Sequence, residues 1–110
     1  MPKEGFRIMR LLVFFDLPVS TATDRKNYRK FRKFLIENGY LMVQYSIYAK
    51  IILNHSVLSY QKKKIVDQIP KKGTVDLLLV TEKQYAGMER VTSIKKDTEQ
   101  IASIERIIEL

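Results

Sequence analysis

The chain has 110 residues, 45% of them hydrophobic, no cysteine and a formal net charge of +8 at pH 7. This composition excludes a disordered chain, a disulfide scaffold and a thiolate metal site, and the length gives one domain with one modest core. Since no apolar run approaches the roughly 20 residues of a membrane span, we predict a soluble, cytoplasmic protein with no membrane partner.

The first predicted element is a strand that ends in a carboxylate. After a leader over residues 1–8, the stretch Leu11–Phe15 is apolar without a break and runs into Asp16, and Pro18 ends the run. A strand that is apolar on both faces is buried on both faces, which indicates a central position in its sheet. Open α/β sheets often place ligand groups at such a strand end, whereas an Asp before a turn also commonly caps that turn. Spacing alone leaves both interpretations of Asp16 open.

A helix is predicted to follow this strand. The stretch Thr21–Asp24 fits the capping-box signature, so the helix begins near Ala22 to Asp24, and Gly39 is a suitable residue to end it. Its apolar side consists of residues at helical spacing, namely Tyr28, Phe31, Phe34 and Leu35. This stripe indicates packing against a sheet and contains no cofactor-binding pattern.

The opposite side of this helix carries six cations within nine residues, namely Arg25, Lys26, Arg29, Lys30, Arg32 and Lys33. We expect no carboxylate one turn away to neutralise them, which is typical of a helix that faces phosphates. Cations are also concentrated in residues 1–50, which hold ten Lys and Arg against four Asp and Glu. The alternative is a solvated basic face, but we predict nucleic-acid binding by Arg25, Lys26, Arg29, Lys30 and Lys33.

Residues 40–52 form a β-rich block of β-branched and aromatic residues. Because the block contains no Asn-Gly or Gly-Gly turn, it is either one long bulged strand or two short strands that meet near Gln44 and Tyr45. Its three tyrosines, Tyr40, Tyr45 and Tyr48, suit either base stacking or a place in the core.

A second helix is predicted over residues 55–68, with either Asn54 or Ser56 as its N-cap. We expect its buried line to consist of Leu58, Ile65 and Ile69. The single histidine lies beside this cap without companion ligands, so it predicts no metal site.

The remaining third of the chain is less regular. Residues 74–81 form a strong strand, again nearly apolar on both faces. Residues 85–103 give no readable element, and we assign 92–103 as a linker. The apolar stretch over 104–110 predicts a short strand at the C-terminus, which would be a poor tail if left unpaired.

With two strands in the middle block, the order of elements is βαββαβ, the ferredoxin-like α+β arrangement, here over residues 9–91. Such a sheet has helices on one face only, whereas its first and last strands are apolar on both faces. We expect nothing else in the chain to cover the open face, so we predict a homodimer packed sheet against sheet. The strand over 104–110 would then extend the sheet of the partner protomer.

Few residues of this chain can carry chemistry. With one histidine and no cysteine, we expect no Ser/His/Asp or Cys/His catalytic set, and the four glycines form no phosphate-binding loop. Asp16 remains as a single carboxylate at a strand end. Because Mg²⁺ needs only one or two protein carboxylates besides water and phosphate, the two Asp16 side chains of the predicted dimer can supply one shared Mg²⁺ site.

Four groups of residues, taken together and in order, resemble a known family. They are Leu11–Pro18, Tyr28–Leu35, Gly39–Tyr40 with Gln44–Tyr48, and Thr81–Tyr85. They are similar to the small CRISPR-associated endoribonuclease, which is the non-integrase subunit of the spacer-acquisition complex, and most of all to its type II form. The likeness runs from about Met9 to Leu110.

The resemblance implies a ferredoxin-like homodimer in which the C-terminal strand completes the neighbour's sheet. It implies that Asp16 is the metal-binding and catalytic aspartate, one from each chain at the dimer interface. It further implies a role in bacterial antiviral immunity, in which the dimer bridges two pairs of integrase subunits and holds the incoming double-stranded spacer DNA. Members of the family are described as magnesium-dependent endonucleases on RNA or DNA, with activity that varies among them.

The sequence therefore leaves three hypotheses. The first is a DNA-bridging scaffold, and the second is a metal-dependent endonuclease centred on Asp16; both can hold together. The third is a generic ferredoxin-like module that binds RNA or another protein without catalysis. This third hypothesis expects Leu12 and Phe14 to be solvent-accessible on the sheet face.

Overall fold

The structure, a computed structural model, describes residues 7–92 of the chain. Its elements are β1 (Met9–Asp16), α1 (Ala22–Glu37), β2 (Leu41–Gln44), β3 (Ile47–Ile52), α2 (His55–Gln68), β4 (Thr74–Thr81) and α3 (Glu82–Ala86). Their order confirms the predicted α+β, ferredoxin-like arrangement. The predicted strand over 104–110, the linker from residue 93 onward and the leader before residue 7 lie outside the described residues. No helix among residues 7–92 is long and apolar enough to cross a membrane.

The sheet has four strands in the order β2-β3-β1-β4, and all neighbouring pairs are antiparallel. The strand β1 is therefore central, as its apolar composition predicts. The middle block holds two strands, which settles the alternative left by the sequence, and the turn between them consists of Tyr45 and Ser46. The register shifts between Met42 and Gln44, which marks a bulge in β2.

The helices α1 and α2 pack on one face of this sheet. Leu11, Val13 and Phe15 of β1 are buried in this layer. The ring of Phe15 meets the ring of Phe31 edge-on, with their centroids 5.3 Å apart. The predicted apolar stripe of α1 is confirmed, because all its members are buried in or packed against this core, namely Tyr28, Phe31, Phe34 and Leu35.

The buried line of α2 differs from the prediction. Ile65 is buried, but Ile69 is 44% exposed, because α2 ends at Gln68 and the backbone of Ile69 is already extended. Gln61 is buried instead, and its side-chain oxygen accepts a hydrogen bond from the Tyr40 hydroxyl at 3.1 Å. Burial raises the pKa of Tyr40, so the hydroxyl keeps its proton and its donor role at neutral pH.

The second face of the sheet, called the open face below, carries an apolar row across all four strands. Cross-strand pairing aligns Leu41 of β2 with Ala49, Ala49 with Leu12, and Leu12 with Leu78 of β4. The centre of this row is buried, whereas Leu41 is 71% and Leu78 50% exposed at the two edges. The apolar row is therefore covered in its middle and bare at its ends.

The chain that follows β4 crosses the open face. Arg10, on this face, donates hydrogen bonds to both carboxylate oxygens of Glu82 in α3, and its guanidinium lies 4.5 Å from the centroid of the Tyr85 ring. At the opposite edge, Arg90 donates to the carbonyl oxygen of Val43 at 2.7 Å. The expectation that nothing else in the chain covers this face is therefore wrong. The homodimer stays a prediction, with a smaller apolar surface available to it.

The short helix α3 was not predicted from the sequence. The Thr81 hydroxyl accepts from the backbone N–H of Gln84 at 3.0 Å, and the Gln84 side chain accepts from the backbone N–H of Thr81 at 2.9 Å. This reciprocal pair is a capping box, and Thr81-x-x-Gln84 was its visible signal. The hydrogen bonds that Arg10 donates to the Glu82 carboxylate raise the pKa of Arg10, so the guanidinium that holds α3 to the sheet stays charged.

Gly73, just before β4, fixes the end of β1. It has a φ of +90°, and a Cβ there would lie 2.5 Å from the Asp16 carbonyl oxygen and 3.0 Å from the Leu17 Cα. We expect Gly73→Ala to lower the free energy of unfolding by about 2–3 kcal/mol, because positive φ strains alanine and the backbone must also move. Chemical denaturation measures the loss. Gly87 has a φ of −79°, so Gly87→Ala is the control, and equal losses in the two variants would contradict this account.

Candidate nucleic-acid interface and carboxylate site

Asp16 is the last residue of the central strand and is exposed. Since Phe15 is buried in the helix-covered face, the alternation of the strand directs Asp16 to the open face. Within residues 7–92, no hydrogen bond or ion pair involves its carboxylate. The start of α1 is capped by Thr21 and Asp24 instead. The geometry thus gives no support to a capping role for Asp16 and leaves its carboxylate open to a ligand.

A second carboxylate, which was not predicted from the sequence, lies on the same face. In the ladder between β1 and β4, Asp16 pairs with Thr74 and Phe14 pairs with Asp76. Asp16 and Asp76 are therefore diagonal neighbours, a relation that separates residues by about 7–8 Å in antiparallel sheets. An acidic residue inside an otherwise apolar strand was the signal for Asp76, but its position beside Asp16 depends on the register between two distant strands.

These two carboxylates suit an oxygen-preferring divalent cation. Mg²⁺ usually takes one or two protein carboxylates and completes its shell with water and substrate phosphates. Asp16 and Asp76 are both exposed, which leaves room for those other ligands. In the part of the chain that the structure describes, no group of three or more His, Cys, Asp or Glu residues can hold a metal. The donor set fits Mg²⁺ and does not fit an enclosed structural zinc site.

The predicted cationic side of α1 is exposed along its length, with Arg25, Lys26, Arg29, Lys30 and Lys33 all reaching solvent. Among residues 7–92, no carboxylate oxygen lies within 4.0 Å of the charged nitrogens of Lys26, Arg29 or Lys30. The expectation that no carboxylate neutralises the row is wrong at one position, because Lys33 pairs with Glu37 one turn later at 4.0 Å. The row formed by Lys26, Arg29 and Lys30 is called the cationic row below.

Two other cations of α1 have structural roles as well. The guanidinium of Arg25 donates to the carbonyl oxygens of Val19 and Ser20, both at 3.1 Å. Arg32 donates to the Tyr48 hydroxyl at 2.8 Å, which ties α1 to β3. Some donors of Arg25 are therefore used by the loop before α1. The side chains of the cationic row make no hydrogen bond to the protein among the described residues.

The start of α1 and the Asp16 carboxylate lie at the same end of the domain. The Tyr28 hydroxyl and the Ser46 hydroxyl are 3.2 Å apart. The backbone N–H of Phe15 donates to the carbonyl oxygen of Ser46 at 3.0 Å. The turn between β2 and β3 thus contacts both α1 and the end of β1.

The aromatic side chains divide clearly between core and surface. Tyr40 and Tyr48 are 1% exposed, which excludes them from base stacking, whereas Tyr45 is 86% exposed. On the open face Leu12 is buried and Phe14 is half-buried. The generic RNA-binding module expects these two side chains to be accessible, so the geometry disfavours that hypothesis.

Comparisons with known proteins agree with one another. The family model described as CRISPR associated protein Cas2 matches residues 9–88. A protein of Ligilactobacillus salivarius named CRISPR-associated endoribonuclease Cas2 is 46% identical over 100 residues, covering 91% of this chain and 98% of the relative. A protein of Treponema denticola with the same name is 46% identical over 102 residues, covering 93% of this chain and all of the relative. The crystal structure of Streptococcus pyogenes Cas2 at pH 6.5 aligns with a TM-score of 0.61 at 20% identity, over 76% of this chain and 99% of that one, which supports the fold.

Proposed function

The chain belongs to the Cas2 family of CRISPR-associated proteins, and from that membership we propose that it acts in spacer acquisition as a homodimer that holds duplex DNA and bridges integrase subunits. In this proposal the dimer also has a magnesium-dependent endonuclease activity centred on Asp16. The relatives named as endoribonucleases support a nuclease activity in general terms. Metal dependence, the homodimer, duplex binding and the integrase contact are proposed for this chain.

The observation that carries the DNA-holding role is the cationic row. Lys26, Arg29 and Lys30 are exposed and lack carboxylate partners within residues 7–92. Unpaired like charges on one helix repel each other, and a polyanion relieves that repulsion. Contacts to phosphates release counterions and carry no sequence information, which suits a subunit that must hold many different spacers.

The endonuclease activity is assigned to the carboxylates of the open face. Asp16 would bind Mg²⁺ directly, and Asp76, its diagonal neighbour on the same face, would bind the same ion or one of its waters. When held by these carboxylates, Mg²⁺ would supply Lewis-acid stabilisation of the phosphodiester and an activated water as the nucleophile. The role of this chain is to present carboxylate oxygens at a fixed strand end. The backbone of Gly73 packs so closely against Asp16 that a Cβ at Gly73 would lie 2.5 Å from the Asp16 carbonyl oxygen. This close packing supports a fixed position for the strand end.

The homodimer is supported by what remains exposed on the open face. Leu41, Ile51 and Leu78 lie on this face and are 71%, 45% and 50% exposed. Exposed aliphatic side chains at both edges of a sheet are typical of a surface that packs against another protein. Packing of two open faces would also bring the Asp16 carboxylates of the two protomers to the same interface.

Light scattering after size exclusion tests the dimer. We expect the chain to elute with twice the mass of one 12.9 kDa chain, and Leu78→Glu to elute with the mass of one, because the new charge would be buried without a partner. Val66→Glu is the control, since Val66 is 60% exposed on α2 and lies away from the open face. A wild-type chain that elutes at the mass of one chain would contradict the dimer, as would a Leu78→Glu variant that keeps the wild-type mass.

A further inference from the structure

Tyr45 is the most exposed aromatic side chain among the described residues, at 86%. The turn that carries it is nevertheless held firmly at its second residue. Ser46 accepts a hydrogen bond from Phe15 through its carbonyl oxygen and contacts the Tyr28 hydroxyl through its own. Ser46 also adopts a φ of 67°, a left-handed conformation that is uncommon for residues other than glycine. The Tyr45 ring is therefore exposed to solvent on a constrained turn and does not pack in the hydrophobic core.

Tyr45 lines a groove whose opposite wall holds a cation. The groove has a volume of about 740 Å³ and is bordered by residues 42–45 on one side and 89–92 on the other. Arg90 uses one terminal nitrogen to donate to the Val43 carbonyl oxygen at 2.7 Å, which fixes its position and leaves its other donors for a ligand. An aromatic surface and a positioned guanidinium thus border one groove.

We propose that Tyr45 and Arg90 form a subsite for one unpaired nucleotide, in which the base stacks on the Tyr45 ring and the guanidinium of Arg90 contacts its phosphate. The inference rests on the proposed function in one respect, namely that the ligand of this chain is a nucleic acid. It adds the position at which an unpaired nucleotide is bound. The backbone contact between Phe15 and Ser46 places this subsite beside the strand end that carries Asp16.

The charges in the groove favour a single nucleotide over a duplex or an acidic peptide. Among residues 7–92, Arg90 is the one cation that borders the groove, and Glu89 borders it as well. A run of phosphates would meet Glu89, whereas one phosphate can contact Arg90 alone. Base stacking on an exposed aromatic ring needs an unpaired base and tolerates any sequence. The subsite therefore suits a frayed end or a single-stranded segment, while the cationic row suits the duplex.

Binding of a fluorescent single-stranded oligonucleotide over a series of salt concentrations tests the subsite. We expect Tyr45→Ala to weaken binding about 5- to 100-fold without changing the salt dependence, because stacking is lost and no charge is removed. Tyr45→Phe keeps the ring and should bind as the wild-type chain does. Tyr60→Ala is the matched control, since Tyr60 is 58% exposed on α2, away from the groove.

Arg90→Gln gives the complementary result. It should weaken binding and flatten the slope of log affinity against log salt by about 0.7, the value for one single-strand phosphate contact. Lys83→Gln removes an exposed charge outside the groove and is its control.

If the wild-type chain binds the oligonucleotide and Tyr45→Ala binds equally well, the subsite is overturned while the proposed function stands. If the wild-type chain binds no nucleic acid, both are overturned. If Tyr45→Ala changes only the mass in light scattering, Tyr45 is a contact between copies and the subsite is overturned.

Discussion

Asp16→Asn is expected to reduce magnesium-dependent cleavage of nucleic acid by at least about 100-fold. Residues that merely orient metal ligands cost about 10–100-fold when they are changed, and Asp16 is proposed to bind the ion itself. The substitution keeps the shape of the side chain and removes its charge. Because Asp16 is exposed and its carboxylate makes no hydrogen bond within the described residues, the variant should fold normally. Thermal denaturation should show an unchanged midpoint, and the affinity for duplex DNA should be retained.

The controls for this experiment use the other carboxylates of the chain. Asp76→Asn should lose less activity than Asp16→Asn, because Asp76 is proposed to assist at the same ion. Asp67→Asn removes an exposed carboxylate from α2, far from the open face, and should leave cleavage unchanged. Cleavage that persists in Asp16→Asn, or that needs no divalent cation, would remove Asp16 from the catalytic role.

The double substitution Lys26→Glu with Lys30→Glu is expected to weaken binding to duplex DNA by roughly 10- to 100-fold at low salt. Each change removes a phosphate contact and places a like charge against the backbone. The loss should be the same for duplexes of different sequence, since phosphate contacts carry no sequence information. Fluorescence anisotropy with two unrelated duplexes of equal length measures both effects.

A matched variant distinguishes the effect of the cationic row on duplex binding from the effect of the net charge of the chain. Lys62→Glu with Lys63→Glu makes the same change in net charge on exposed positions of α2. If duplex binding depends on the cationic row, this variant should retain most of the affinity. Equal losses in the two double variants would assign binding to the overall charge and would contradict a defined interface on α1.

The sequence predicted those features of the molecule that depend on local pattern. The unbroken apolar stretch before Asp16 predicted the central strand, and the helical spacing of Phe31 and Leu35 predicted the buried side of α1. The capping box at Thr21 predicted the start of that helix. Each of these features is encoded within one element, where periodicity and capping chemistry are read directly.

Other features depend on how distant segments meet. Asp76 becomes a neighbour of Asp16 only through the register of β1 with β4, which no periodicity reveals. The crossing of the open face depends on Arg10 meeting Glu82 and on Arg90 reaching β2, both over long separations in the chain. The burial of Gln61 likewise depends on its contact with Tyr40. These contacts belong to tertiary packing, which overrides patterns within single elements.

The central claim is that the cationic row on α1 holds duplex DNA through phosphate contacts, and the salt dependence of duplex binding tests it most directly. For the wild-type chain, log affinity should fall linearly with log salt, and the slope should flatten by about two units in Lys26→Glu with Lys30→Glu, about one for each contact removed. The α2 variant should keep the wild-type slope. An identical slope in the wild-type chain and the α1 variant would contradict the claim.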